Sequence, residues 1–215
     1  MKAVVIGATG LVGNLILREV LNDADFSEVR IFVRKPTGIT NPKLKEIVTP
    51  MTEIPSLGQD VSGDVLFNAM GTTIKQAGSK PEQQRIDRDL PIAFAKLASS
   101  NGCKMMLNVS SVGANMNGNF YLKTKAEMEH GTEKYFPGKT FHFRPGFLAG
   151  ERKEFRAAEK FFGRVMKIID PMLNGSAQKY RSMPVDKLAK AMVNLSKSPE
   201  GKPNILQYPE IMHLI

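Results

Sequence analysis

The 215-residue chain contains one cysteine, Cys103, and no tryptophan. A single cysteine excludes an intramolecular disulfide and fits a reducing compartment. No run of 18 or more apolar residues occurs, so we expect no membrane-spanning helix. The three histidines, His130, His142 and His213, lack the spacing of metal ligands, and we predict no metal site. The first predicted strand begins at Ala3 and leaves no room for a secretory signal peptide, so we expect a cytoplasmic protein.

Acidic residues are few relative to basic ones: 21 Asp and Glu stand against 30 Lys and Arg, a formal net charge of +9. Such a balance is typical of proteins that bind nucleic acid, anionic lipid or an anionic small molecule. The basic residues are scattered apart from a modest cluster between Arg152 and Arg164, and no aromatic stacking platform lies among them. We therefore predict an anionic small-molecule ligand and no nucleic-acid partner. The length and the 42% hydrophobic content are ordinary for one globular domain, residues 1–215.

Three glycines spaced three residues apart follow the first apolar run. The run from Ala3 to Ile6 predicts a buried strand, and apolar residues at helical spacing predict a helix from Leu11 to Leu21. A glycine turn between a strand and a helix is typical of a dinucleotide site, because the helix amino terminus binds the pyrophosphate. The alternative is a turn with a structural role alone. The predicted contacts are Gly7, Thr9, Gly10, Leu11, Val12 and Gly13.

A basic pair, Arg34-Lys35, ends the second predicted strand, Val29 to Val33. It lies about 20 residues past Gly13, where an acidic residue binds the ribose 2′-hydroxyl of NAD and a basic one accommodates the 2′-phosphate of NADP. The pair therefore predicts a preference for NADP(H), while NAD(H) binding stays open. The alternative is two exposed charges before a proline turn.

Further apolar runs alternate with helical patterns along the chain. They predict strands near 46–48, 64–68, 104–109 and 140–143, a last strand within 204–215, and helices at 82–100, from 120, at 151–169 and at 184–196. Pro91 predicts a kink or a late start in the first of these helices. This alternation indicates an α/β fold: a doubly wound, mostly parallel sheet with helices on both faces. The segment Ala69-Met70-Gly71 follows the fourth strand, and its small residues suit close approach by a ribose.

Polar side chains follow the fifth predicted strand. Ser110 and Ser111 end it, and Tyr121 and Lys125 lie four residues apart on the next helix, hence on one face. A tyrosine has an ordinary pKa of about 10, which a neighbouring ammonium lowers toward neutrality. We therefore predict a catalytic set of Ser111, Tyr121 and Lys125. The alternative is an ordinary amphipathic helix surface.

Four segments in this order carry a family resemblance: Gly7 to Gly13, Ser110-Ser111, Tyr121 to Lys125, and Arg144-Pro145-Gly146. They resemble the short-chain dehydrogenase/reductase superfamily, in its atypical and extended, epimerase/dehydratase-like branch. Together with the segments 70–78 and 87–89, they are most similar to NADPH-binding oxidoreductases of the Tat-interacting-protein type. The resemblance implies a Rossmann-like fold, an active-site tyrosine and lysine, a 2′-phosphate bound by the Arg34 pair, and a cofactor contact at Pro145.

The resemblance has departures that bear on function. The gap between serine and tyrosine is shorter than in the standard branch, which leaves Ser110 open as the working serine. About 65 residues follow Gly150, so the C-terminal substrate lobe is small, with 147–183 as a minimal segment covering a small substrate.

Two functions follow from these patterns. The first is an NADP(H)-dependent oxidoreductase of a small carbonyl or alcohol, with Tyr121 as the general acid or base and Lys125 as its activator. The second is a catalytically weak NADP(H)-sensing binding protein. Arg144 and Arg152 are candidate contacts for an anionic substrate group, and the protein is expected to be a monomer or homodimer.

Overall fold

The computed structural model of the protein describes residues 1–149 and 170–215. A parallel sheet forms its centre, with seven strands in the order β3-β2-β1-β4-β5-β6-β9. A separate parallel pair, β7 and β8, lies beside it. The strands are β1 (Lys2–Ile6), β2 (Glu28–Val33), β3 (Leu44–Val48), β4 (Val65–Asn68), β5 (Met105–Val109), β6 (Lys139–Phe143), β7 (Leu148–Ala149), β8 (Met183–Pro184) and β9 (Ile205–Leu206). The predicted doubly wound parallel fold is confirmed.

Helices cover both faces of the sheet. They are α1 (Leu11–Asn22), α2 (Ile74–Ala77), α3 (Lys80–Gln84), α4 (Leu90–Ser100), α5 (Phe120–Tyr135), α6 (Val185–Lys197) and α7 (Tyr208–Met212), with short 3₁₀ turns at Ile54–Asp60, Asp170–Met172 and Gly175–Tyr180. Alternate side chains of β1 pack in two different hydrophobic cores. Ala3 and Val5 pack in the cluster that includes α1 and α6, whereas Val4 and Ile6 pack in the cluster that includes α4. Buried on both faces, the strand is apolar throughout its inner part.

The strand order reverses beside β1. The chain runs outward from β1 to β2 and β3 on one side, then returns to start β4 on the other, where Ala3 of β1 lies between Val29 and Val65. In open parallel sheets a crevice forms at such a switch point, outside the carboxyl ends of the strands. The segments after β1, β4 and β5 therefore meet at one edge of the sheet.

Pro91 perturbs the long helical run as predicted. The run from Lys80 to Ser100 is interrupted by a widened π-helical turn at Arg85–Asp89, directly before α4. A proline ring clashes with the carbonyl of the residue four positions earlier in a regular α-helix, here Asp87, and the wider turn removes that clash. The helix predicted at 151–169 lies outside the described residues.

Candidate functional site

The predicted glycine turn joins β1 to α1. Gly7 has a φ of 76°, in the left-handed region, and a Cβ there would lie 2.6 Å from the backbone carbonyl of Ala69. A Cβ at Gly13 would overlap the carbonyl of Gly7, so this glycine permits the close packing of α1. The N-cap residue, Gly10, offers no side-chain acceptor to the first N–H groups of α1. These groups are therefore directed at the crevice and suit an anion.

Beside this turn lies a cavity of about 540 Å³, here called the arginine cavity, because Arg34 and Arg85 both line it. Lys35 is exposed and is not part of the lining. Arg85 donates to both carboxylate oxygens of Glu82, at 2.9 and 2.7 Å, and to the carbonyl of Met51 at 3.4 Å. The hydrogen bonds from Arg85 lower the pKa of Glu82, so the pair is ionised at neutral pH. Sequence reasoning missed Arg85, which belongs to no motif.

A second cavity of about 540 Å³, the tyrosine cavity, contains Tyr121 and Lys125 in its lining. The two cavities adjoin, because both are lined by Gly10 and by residues 69–72. Leu11 and Val12 also face the tyrosine cavity. The structure thus brings the glycine turn, the segment after β4 and the predicted tyrosine and lysine into one crevice.

The two candidate serines differ in surroundings. Ser110 lines the tyrosine cavity, is 4% exposed, and its Oγ has no hydrogen-bond partner in the described residues. The Ser111 hydroxyl donates to the carbonyl of Val112 at 3.3 Å and is not part of the lining. Successive side chains of an extended segment point to opposite sides, so only one of the pair faces the cavity. The lining of the tyrosine cavity therefore includes Ser110 and not the predicted Ser111, and a catalytic role for either serine stays a prediction.

Lys125 is buried between the segment after β4 and the widened turn. Its Nζ lies 3.4 Å from the carbonyl of Met70 and 3.9 Å from Oδ2 of Asp87. Tyr121, one turn earlier on α5, is 40% exposed at the mouth of the cavity. Asp87 is fully buried and accepts the N–H of Thr72 at 2.8 Å through Oδ1. Burial raises the pKa of Asp87, and the Lys125 ammonium opposes that rise.

Three buried polar atoms in the tyrosine cavity have no hydrogen-bond partner in the described residues: Oε1 of Gln83, Oδ2 of Asp87 and Oγ of Ser110. The amide of Gln83 donates to the carbonyl of Thr72 at 3.1 Å, which leaves its oxygen toward the cavity. Buried polar atoms without partners are costly, so these three residues of the lining have unused capacity for hydrogen bonds. The cavity therefore fits a ligand with polar groups.

The remaining predicted residues lie outside the two linings. Gly13 packs behind the turn, and Pro145 is buried, with its carbonyl accepting the N–H of Val112 at 2.9 Å. Arg144 forms a bidentate ion pair with Glu129, at 2.9 and 2.5 Å, so its charge is already matched. Arg152 and most of the segment 147–183 lie outside the described residues.

A buried polar network supports the floor of the crevice. Oδ1 of Asn68 accepts the N–H of Met70, and its amide donates to Oδ1 of Asn108, which joins the ends of β4 and β5. The Asn108 amide lies 3.3 Å from Nδ1 of His142, whose Nε2 lies 3.0 Å from Glu133. Within 1–149 and 170–215, no group of three or more His, Cys, Asp or Glu side chains is placed to hold a metal ion.

Comparison with known proteins identifies relatives across the chain. The mitochondrial protein FMP52 of Eremothecium gossypii is 32% identical, over 100% of this chain and 97% of its own. The protein HTATIP2 of Rattus norvegicus is 31% identical, over 98% of this chain and 87% of its own. No family model matches the sequence.

Solved structures with the same fold are more distant in sequence. MoeE5 in complex with UDP-glucose and NAD superposes with a TM-score of 0.68 at 13% identity, over 98% of this chain and 79% of its own. The Bordetella bronchiseptica enzyme WbmG in complex with NAD superposes with a TM-score of 0.69 at 15% identity, over 96% and 72%. At these identities the likeness concerns the fold.

The relatives overturn one expectation. FMP52 proteins from Eremothecium gossypii, Candida albicans and Saccharomyces cerevisiae are mitochondrial by name, so the prediction of a cytoplasmic protein is wrong. It rested on the expectation of a reducing compartment, which does not separate the cytosol from the mitochondrion. No helix in the described ranges is long and apolar enough to cross a bilayer.

Sequence identity above 30% over nearly the whole of both chains establishes kinship. The fold shared with NAD-bound structures agrees with it. The chain therefore belongs to the family of FMP52 and HTATIP2, and its predicted position in the atypical short-chain dehydrogenase/reductase branch is confirmed.

Proposed function

We propose that the protein is an NADP(H)-dependent oxidoreductase that acts on a small carbonyl or alcohol substrate. One observation carries the proposal: the arginine cavity and the tyrosine cavity adjoin along Gly10 and residues 69–72. An extended dinucleotide has an anionic centre and two different ends, and the crevice has an anion-binding turn between two different cavities. The family relationship supports the coarser part of the assignment, an NAD(P)-binding oxidoreductase-like or epimerase-like protein.

Two arginines support the preference for NADP(H). Arg34 and Arg85 line the same cavity, and only one neighbouring carboxylate, Glu82, forms an ion pair with them in the described residues. The cavity thus has an excess of positive charge, which suits a 2′-phosphate. Met51, with a φ of 58°, lines this cavity and is held by Arg85 through its carbonyl.

The chemistry of the tyrosine cavity suits proton transfer. The bound cofactor supplies or accepts the hydride. The phenol of Tyr121 donates the proton that a carbonyl oxygen needs on reduction, and it accepts that proton in the reverse direction. The ammonium of Lys125 stabilises the phenolate, and the free hydroxyl of Ser110 is available to hold the substrate oxygen.

The segment 147–183 is proposed to cover the substrate. Leu148 lines the tyrosine cavity, and β7 pairs with β8, so both described ends of the segment are tied together beside the crevice. A segment of this size suits a small substrate rather than a nucleotide sugar.

The catalytic proposal is tested with NADPH consumption across a panel of small aldehydes and ketones. Tyr121→Phe is expected to lower kcat by about 10²- to 10⁴-fold with little change in NADPH affinity, as loss of a general acid should. Ser110→Ala is expected to lower kcat, and Ser111→Ala is the matched control. Equal turnover of parent and Tyr121→Phe removes the tyrosine from the mechanism. NADPH binding without turnover of any carbonyl supports the sensing protein instead.

The cofactor proposal is tested by fluorescence titration with NADPH and NADH. Arg34→Ala and Arg85→Ala are expected to weaken NADPH by about 10- to 100-fold and NADH little, since a charge-assisted hydrogen bond contributes about 1.5–3 kcal/mol. Lys35→Ala removes the same charge outside the cavity and serves as the control. Equal weakening of both cofactors by Arg34→Ala would contradict a 2′-phosphate contact.

A further inference from the structure

Asp87 has an unusual environment for a carboxylate. It is fully buried in the widened turn and belongs to the lining of the tyrosine cavity, and its Oδ2 has no hydrogen-bond partner in the described residues. Its other oxygen is fixed by the N–H of Thr72. The free oxygen faces the Nζ of Lys125 at 3.9 Å, longer than a hydrogen bond but well within Coulomb range.

The two arginines on the same turn as Asp87 are paired with other carboxylates. On its own turn, Arg85 pairs with Glu82, and Arg88 pairs with Asp89 and Glu127. From α5, Lys125 and the phenol of Tyr121 face the same cavity, and from α2 so does Lys75. Among the described residues, Lys125 is the one cation within 4.0 Å of the Asp87 carboxylate.

The carboxylate and the ammonium act on the phenol with opposite signs. A nearby cation stabilises a phenolate, and a nearby anion destabilises it. Both charges are buried, where solvent screens them little. While Asp87 is ionised, its charge therefore cancels part of the stabilisation that Lys125 gives to the phenolate of Tyr121.

We infer that Asp87 is a positioning residue that holds Lys125 and, by offsetting its charge, sets the pH range in which Tyr121 exchanges a proton. The inference rests on the proposed roles of Tyr121 and Lys125. It adds a residue that acts on the tyrosine through the lysine, without touching the substrate. Burial raises the pKa of Asp87, whereas the ion pair with Lys125 and the hydrogen bond from the N–H of Thr72 favour the ionised carboxyl.

Asp87→Asn isolates the charge, since asparagine has the same size and its Oδ1 still accepts the N–H of Thr72. The phenol is titrated by its alkaline absorbance change in protein without cofactor. The chain has four tyrosines, so the signal of Tyr121 is the difference from the same protein carrying Tyr121→Phe. In Asp87→Asn the midpoint of that signal is expected to fall by about one pH unit, and the limb of kcat/KM that follows the tyrosine is expected to shift the same way.

Asp89→Asn is the matched control, because it removes an exposed charge two residues further on and is expected to leave the midpoint unchanged. If the asparagine variant fails to fold, Asp87→Ser is measured instead, and the same fall in the midpoint is expected. An unchanged or higher midpoint, or an equal shift in Asp89→Asn, overturns the inference. The midpoint is measured without cofactor or substrate. The test of Asp87 is therefore independent of whether the proposed oxidoreductase activity is found.

Discussion

Gly7 has a left-handed backbone conformation and lies very close to the end of β4. The substitution Gly7→Ala tests whether both features require glycine at this position. An added Cβ would lie 2.6 Å from the carbonyl carbon and oxygen of Ala69 and 2.7 Å from the nitrogen of Met70. All three are backbone atoms, so no side-chain rotation relieves the contact. The segment after β4 would have to retreat by about 0.8 Å to reach ordinary contact at 3.4 Å.

The expected cost has two parts. A non-glycine residue in the left-handed region costs about 1–2 kcal/mol, and forcing extra atoms into a packed site costs about 1–3 kcal/mol. Gly7→Ala should therefore lower the free energy of unfolding by about 2–5 kcal/mol. Ala69 and Met70 line both cavities, so the same displacement should weaken NADPH binding by at least about tenfold, which corresponds to about 1.4 kcal/mol.

Gly38→Ala separates the two parts of the cost. Gly38 has a φ of 73°, close to that of Gly7, but an added Cβ there would meet nothing within 4 Å. Backbone strain alone should lower the free energy of unfolding of Gly38→Ala by about 1–2 kcal/mol, and this variant should bind NADPH as the parent protein does. Urea unfolding and fluorescence titration measure the two quantities. Equal destabilisation of the two variants, or parental NADPH affinity in Gly7→Ala, would refute the close-approach argument.

Three further predictions concern buried groups away from the crevice. Arg144→Met leaves Glu129 as an unpaired buried carboxylate and should cost about 3–5 kcal/mol in urea unfolding; a loss below about 1 kcal/mol would mean that water screens the pair. Burial lowers the pKa of His142 below 6.5, so the unfolded chain binds more protons there and stability should fall as the pH drops below 6.5. His142→Gln should flatten that slope, and equal slopes would contradict the assignment. Burial raises the pKa of the Cys103 thiol to about 11, so iodoacetamide at neutral pH should modify it only in denaturant; rapid alkylation of the folded protein would be the contrary result.

Local patterns predicted the sheet and the glycine turn because both depend on short-range physics. The apolar run of β1 can be buried only as a central strand, and the glycines after it admit a backbone that other residues resist. Arg34 was found for a related reason: its distance from the turn is fixed by one helix and one strand. Lys35, its neighbour, alternates away from the cavity, which the dipeptide alone does not reveal.

The choice between Ser110 and Ser111 depends on the phase of an extended segment. A shift of one residue exchanges the two faces, and that phase is set by the pairing of β5 with β4 and β6, where Asn68 lies opposite Asn108. No property of the two serines themselves distinguishes them. Arg85 was missed for a different reason: it reaches the arginine cavity from the widened turn after β4, and the packing of that turn against the crevice is not visible in any local pattern.

Asp87 shows how a correct local prediction can have an unforeseen chemical result. Pro91 predicts an irregular helix, and the widened turn before it relieves the clash that a regular helix would create at the carbonyl of Asp87. That same turn holds the carboxyl of Asp87 against Lys125 of α5. The proline signal is local, and the sequence alone therefore predicts the irregular helix. The ion pair depends on how two helices distant in sequence pack together, so the charge of Asp87 near the tyrosine could not be predicted. If Asp87→Asn shifts the tyrosine titration as expected, the helix irregularity and the pH range of the site have one common cause.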